Sequence, residues 1–161
     1  MKGIVSSIEI TAEEGAPLVS LDSVKAVAGQ GLEGDRNFFD PSSNPAQEHN
    51  PDKELTLIET ECIEEFNREY QMDYTSTDIR RNIATRGIRL NELNGREFRI
   101  GEVRLKGHRL CEPCNYLAGR TTPKILEGLA HKAGLRAEIL EGGIIRVGDT
   151  IELIEEGNSE S

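Results

Sequence analysis

Apolar residues along this chain recur mostly at every second position, in short runs broken by glycine, proline and small polar residues. A period of two marks strands with one buried face. Residues 2–10 alternate loosely and predict a strand; residues 17–28 predict another, after a turn at Glu14-Gly15. Leu55 to Ile58 reads as a short strand, and residues 78–90 as a strand closed by a glycine turn. After a tight connection at residues 91–95, residues 98–105 alternate cleanly, and 106–111 carry that strand onward. Leu135 to Leu140 and Ile144 to Ile154 predict two strands joined as a hairpin by Glu141-Gly142-Gly143. Two segments have a helical period instead. Residues 59–70 continue a face begun at Ile58, with Cys62, Phe66 and Tyr70 following at four-residue spacing, which makes Cys62 a core-facing residue. In residues 123–133, Ile125, Leu126, Leu129 and Ala130 face inward and Gly134 stops the helix. Residues 37–54 are rich in Pro, Ser, Asn and Asp, a long surface loop able to cover a site. So many short strands with so few helices predict a mainly β (α+β) fold, a β-barrel with a few short helices. Residues 1–154 form one domain, and residues 155–161 an acidic tail expected to be disordered, with nothing to bury.

Composition narrows the functional classes. With 161 residues and 36% apolar content the chain can bury a proper core. No run of about 18 apolar residues is present, which predicts no membrane span, and the start lacks the apolar stretch of a secretory signal. Three cysteines, an odd number, do not make a disulfide framework, so reduced thiols in a cytoplasmic protein are expected. A formal net charge of −10 argues against general nucleic-acid binding. That charge is unevenly spread: residues 79–111 carry nine Lys and Arg against three Glu. A local positive site for a small anionic ligand follows.

The chemistry-bearing residues gather in three places. Cys111-Glu112-Pro113-Cys114 holds two of the three cysteines, with Pro113 suited to a helix start. A thioredoxin-like redox pair, half of a zinc site completed by His108 with His131 or Cys62, a single activated thiolate, and two small buried residues are all compatible with it. Arg80-Arg81-Asn82 offers forked donors and an amide, suited to a phosphate or a heteroaromatic edge. Strand alternation places Arg80 and Asn82 on one face and leaves Arg81 to solvent. Gly29, Gly31 and Gly34 precede Asp35 and Arg36, a turn where backbone can approach a ligand closely.

In order along the chain, Gly31-Leu32-Glu33-Gly34-Asp35-Arg36, Leu55-Thr56-Leu57-Ile58-Glu59, Arg80-Arg81-Asn82-Ile83, Asn91-Glu92-Leu93 with Gly95, and Cys111-Glu112-Pro113-Cys114 resemble the MOSC domain. Gly134-Leu135-Arg136-Ala137 and the stretch Gly142 to Asp149 extend the likeness over residues 3–152. The name denotes the C-terminal domain of molybdenum-cofactor sulfurases, and this chain resembles a small stand-alone member. The resemblance implies a β-barrel that binds molybdenum cofactor (molybdopterin). It implies Cys114 as metal ligand, Cys111 as an assisting or resolving thiol, and Arg80 and Asn82 at the pterin or its phosphate. It places Gly34, Asp35 and Arg36 in the same pocket. It further implies either reduction of N-hydroxylated substrates with an electron-donor partner, or a sulfur carrier whose cysteine persulfide is supplied by a cysteine desulfurase. Two departures stand out. Asn37 occupies a position where many relatives have histidine, and no lysine-centred pyridoxal phosphate site is evident.

Overall fold

A computed structural model describes residues 2–43 and 45–155. The frame is a barrel of seven strands. In chain order these are β1 (Lys2–Ile10), β5 (Leu55–Glu59), β6 (Ile83–Arg86), β7 (Glu97–Ile100), β8 (Val103–Leu110), β9 (Leu135–Glu141) and β11 (Thr150–Leu153). They run around the barrel as β11-β7-β8-β9-β5-β6-β1, and β1 pairs back onto β11 to close it. Closure depends on the length of β1. Over Lys2–Ile4 one of its edges meets β11, the same edge meets β2 (Val19–Leu21) near Ile8, and its other edge carries β6. Among the strand pairs of the described residues only β5 and β6 are parallel, and the crossover that parallel neighbours require contains α1 (Thr60–Tyr70) and the short α2 (Ser76–Ile79). A three-stranded sheet, β10-β3-β4, is formed by β3 (Ser23–Val27), β4 (Gly31–Leu32) and β10 (Gly143–Arg146).

Two cores follow from the strand faces. Inward residues such as Ile8, Leu57, Ile83, Phe98, Leu105, Ile139 and Ile151 fill the barrel. Outside it, Ile58 and Ala84 pack with Ile63 and Phe66 of α1, and with Leu117 and Ile125 of α3 (Asn115–Arg120) and α4 (Ile125–Gly128). Strand β5 is thus apolar on both faces, which is why Leu57-Ile58 breaks the alternation.

The β-barrel with few helices predicted from the sequence is the fold observed, but several boundaries differ. The Glu141-Gly142-Gly143 segment is not a hairpin: β9 pairs with β8 and β5, whereas β10 pairs with β3. The chain changes sheets there, and Gly142 is needed because a Cβ would stand 2.6 Å from the carbonyl oxygen of Ala26. Residues 17–28 split into β2 and β3, one in each sheet. Residues 76–79 form the helix α2 capped by Thr75 and Asp78, so the strand begins only at Ile83. The second predicted helix keeps its inward Ile125 and Leu129 but ends at Gly128, while Leu126 remains exposed. Gly128 lets it approach α1 closely; a Cβ would lie 2.5 Å from Cε1 of Phe66. Of the predicted tail only Glu155 lies within the described residues. Among those residues no helix is long and apolar enough to cross a membrane.

Gly134 opens β9 at φ +120, and a Cβ there would overlap the carbonyl oxygen of Leu57 on the neighbouring strand. Gly134→Ala should therefore destabilise the protein by ~3 kcal/mol or more, lowering the melting temperature by roughly 6–12 °C. Gly95 also has positive φ, but nothing lies within 4 Å of its Cβ position, so Gly95→Ala should cost only about 1 kcal/mol. Equal melting temperatures for the two variants would contradict this account.

Candidate functional site

Where β8 ends and β9 begins, outward-facing residues meet the β1–β2 loop, the turn after β4 and helix α3. The cleft between them has a volume of about 220 Å³, and its walls carry Arg36, Lys53, Arg80, Arg81 and Arg136 against one carboxylate, Glu14. Cys111, Thr56, Asn37, Tyr116 and Gly15 complete much of its surface. In a protein of net charge −10, this is a local reversal of sign.

Arg80 and Arg81 are fixed by local structure. Arg80 ends α2 in the left-handed region, at φ 65, and its Nη1 donates to the Ala16 carbonyl at 2.9 Å. Arg81 donates from Nε to Ala133 at 2.8 Å and from Nη1 to Ile79 at 3.3 Å. Because Arg80 is a helix cap and not a strand residue, strand alternation does not apply. Arg80 is buried, Arg81 half-buried, and both line the cleft. The expectation that Arg81 would be left to solvent is corrected accordingly. Burial pushes both guanidiniums below the usual arginine range; Arg120 and Arg36 add to this at Arg80. At Arg81, Cys111 and Cys114 act in the opposite direction while Arg136 and Arg36 lower it further. Like charges held together in a partly desolvated cleft favour a bound anion. Arg36 points the same way, since its buried Nη1 has no hydrogen-bond partner.

Beneath the cleft lies a buried polar network. Asp35 accepts from the Thr11 amide at 3.2 Å, the Asn37 amide at 3.3 Å and Asn82 Nδ2 at 3.4 Å, and its carboxylate stands 3.6 Å from Arg36. Asn82 Nδ2 also donates to the Glu9 carbonyl at 3.1 Å, while its Oδ1 accepts from the amide and the hydroxyl of Thr56 at 3.1 and 3.2 Å. An amide side chain has two donors and two acceptor sites, and here all four are engaged. Asn82, Asp35 and Gly34 therefore stand behind the cleft wall, outside its lining, whereas Arg80 and Arg36 line it. Gly34 takes φ +91 to make the turn that delivers Asp35 and Arg36.

The three cysteines differ sharply. Cys111 is buried and lines the cleft, with its amide donating to the Gly134 carbonyl at 2.8 Å. Cys114 is exposed and is the N-cap of α3, so Pro113 precedes the helix and does not enter its first turn. Cys62, which lies outside the cleft lining, has its thiol pushed up to about 12 by burial and by Glu59 and Glu65. His108 pairs with Glu138, His131 with Glu112 and His49 with Glu54. Among the described residues no three His, Cys, Asp or Glu side chains form a metal-holding group, so the zinc alternative has no ligand set. A larger hollow of about 750 Å³ lies beside α1 and is lined by Glu59, Glu61, Glu65 and Glu92, but none of the cysteine–arginine motif residues reaches it. The smaller cleft, where five separate motifs converge, is the candidate site.

Sequence reasoning gave no site role to Lys53 and Tyr116, nor to Thr56 and Arg136, which it placed only within the family-like stretches. Arg136 had a readable signal, an outward position between the inward Leu135 and Ala137. Lys53 had none, because it reaches the cleft from a single 3-10 turn, Pro51–Lys53, inside the polar loop.

A family model described as the MOSC domain matches residues 44–152. The crystal structure of YuaD from Bacillus subtilis is similar with a TM-score of 0.79 at 16% identity, over 95% of this chain and 96% of that one. YiiM from Geobacillus stearothermophilus gives 0.71 at 18% identity, over 98% and 77%. YiiM from Escherichia coli gives 0.71 at 20%, over 97% and 71%. Identities this low establish likeness of fold. No curated protein matches the chain significantly.

Thiol environment sets reactivity. With its pKa near 12, Cys62 would be thiolate in roughly one molecule in ten thousand at pH 8. Brief iodoacetamide treatment of the native protein at pH 8 should label Cys114 first and leave Cys62 unmodified, as read by peptide mass. Labelling of Cys62 ahead of Cys114 would contradict the burial described.

Proposed function

The chain belongs to the MOSC domain family, and on that premise we propose that its basic cleft binds molybdenum cofactor, with a cysteine thiolate set against the metal. The observation that carries the reading is an excess of positive charge around a buried thiol: five cations share the cleft lining with Cys111 and one carboxylate, and the Arg36 Nη1 makes no hydrogen bond, only an ion pair at 3.6 Å with the buried Asp35. The cofactor is an anionic pterin phosphate bearing a soft metal, and this donor set matches it. Arginine forks suit the phosphate, and thiolate suits the metal.

Arg36 and Arg80 are the residues to hold the phosphate. Arg81 and Arg136 neutralise charge at the thiol end. Cys111, buried against the cleft, is favoured as metal ligand over the solvent-facing Cys114. Asn82, Asp35 and Gly34 act by holding the wall in place. When bound, the cofactor supplies a two-electron redox centre suited to reducing N-hydroxylated compounds. The chain's own residues bind and orient it, and electrons come from a separate donor protein. A second reading has one observation in its favour, the exposure of Cys114. A macromolecular sulfur donor such as a cysteine desulfurase can reach that thiol, and the protein would then carry a persulfide.

Protein purified from a cofactor-producing host should contain molybdenum and pterin in equal amounts. Arg80→Gln should weaken cofactor retention roughly 10- to 100-fold, the value of one or two charge-assisted hydrogen bonds. Cys111→Ser should keep the pterin but lose thiolate coordination in X-ray absorption. Parent protein free of molybdenum would sink the cofactor reading. For the second reading, incubation with a desulfurase and cysteine should add the mass of one sulfur to the Cys114 peptide, and an unchanged thiol there would refute it.

A further inference from the structure

Tyr116 stands at the cleft with little part in packing. It is 54% exposed, although its helix neighbours Leu117 and Ala118 are buried in the outer core. Helix α3 is thus pinned by one face and presents the tyrosine on another. The ring is nonetheless oriented. Arg120, one turn on, donates from Nη1 to the Tyr116 hydroxyl at 3.3 Å, and its guanidinium carbon lies 5.6 Å from the ring centroid. Such an i, i+4 pair holds a side chain in place without core contacts. From the β1–β2 loop Gly15 comes near the ring edge: a Cβ there would sit 3.7 Å from the Tyr116 hydroxyl oxygen. Tyr116 lines the cleft and Arg120 does not, and Arg80 lies within the electrostatic reach of both. A fixed aromatic surface therefore adjoins the arginine assigned to phosphate.

We propose that Tyr116 is a specificity-determining residue that stacks on the planar ring of the ligand, so that the cleft selects a heteroaromatic phosphomonoester over a simple anion. This rests on the cofactor reading above and adds a role for a residue outside the cysteine and arginine motifs. Stacking on an aromatic side chain strengthens binding of a flat ring by about tenfold, with arginine on the ring contributing through its charge.

Two probes separate ring from phosphate: inorganic phosphate, and a pterin carrying a phosphomonoester on its side chain. Each is titrated into the full chain by calorimetry, with pterin fluorescence followed for the ester. In the parent the ester should bind more tightly than phosphate, and its fluorescence should be quenched. Tyr116→Leu should weaken the ester about tenfold and leave phosphate unchanged, whereas Tyr116→Phe should bind both as the parent does. Arg80→Gln should weaken both probes. If Tyr116→Leu binds the ester like the parent while Arg80→Gln weakens both, the stacking role is overturned and the anion cleft stands. Equal loss of both probes in Tyr116→Leu also overturns it, since the side chain would then act on the anion site and not on the ring of the ligand. A parent that binds the ester no better than phosphate overturns the stacking role together with pterin selection.

Discussion

The Asn82 side chain is the constraint on which the site depends. Its four hydrogen-bonding positions join the turn carrying Asp35, strand β1 at Glu9 and strand β5 at Thr56. A buried polar group costs least when every donor and acceptor is met, and a network so satisfied allows one arrangement. Arg80 and Arg81 immediately precede this anchor, so their backbone has little freedom. The buried Glu9 carboxylate secures the other side, accepting hydroxyls from Ser7, Ser76 and Thr77. Ser76 and Thr77 open α2, and α2 ends at Arg80. The arginines are thus positioned by neutral and acidic groups that face away from the ligand.

Charge works at two ranges. The chain's net charge of −10 disfavours anions over most of its surface, while five cations around one small cleft focus a positive potential there. Surface attraction falls off within about 8–10 Å at physiological salt, so selection of an anion rests on the cleft itself. Its arginines are partly desolvated and repel one another. Binding an anion relieves both penalties, whereas an exposed pair such as Arg86–Glu64 gains little from the same Coulomb law.

Local pattern made the barrel strands and α1 legible, because alternation and four-residue spacing are properties of short stretches. The changes of partner at Gly142–Gly143 and between β2 and β3 were not, since a strand's sheet is decided by distant residues. At the site, Cys111, Arg36 and Arg80 were visible as residue types in suggestive company. Their division of labour with Asn82 and Asp35 was not. Strand alternation expected Arg80 and Asn82 on one face and Arg81 in solvent, whereas Arg80 and Arg81 line the cleft and Asn82 stands behind it, because alternation cannot foresee the left-handed cap at Arg80. Lys53 comes from a loop whose path is set by tertiary contacts, among them the Arg109–Asp52 pair at 2.7 Å.

The thiol end is built by a different device. Three residues of one short segment, His131, Ala133 and Gly134, serve both the cysteine turn and the arginine beside it. His131 binds both oxygens of Glu112, at 2.6 and 2.7 Å, while its carbonyl accepts from Asn91 at 2.8 Å. Ala133 accepts from Arg81, and Gly134 from the Cys111 amide. His131 holds φ 62, a conformation a non-glycine residue adopts at an energetic cost. That strain is sustained by hydrogen bonds on both sides of the residue. Helix α4 must stop short for this segment to exist, which gives its early end at Gly128 a purpose beyond close packing against α1. The Cys111 backbone and the Arg81 guanidinium are therefore held by adjacent carbonyls of one segment.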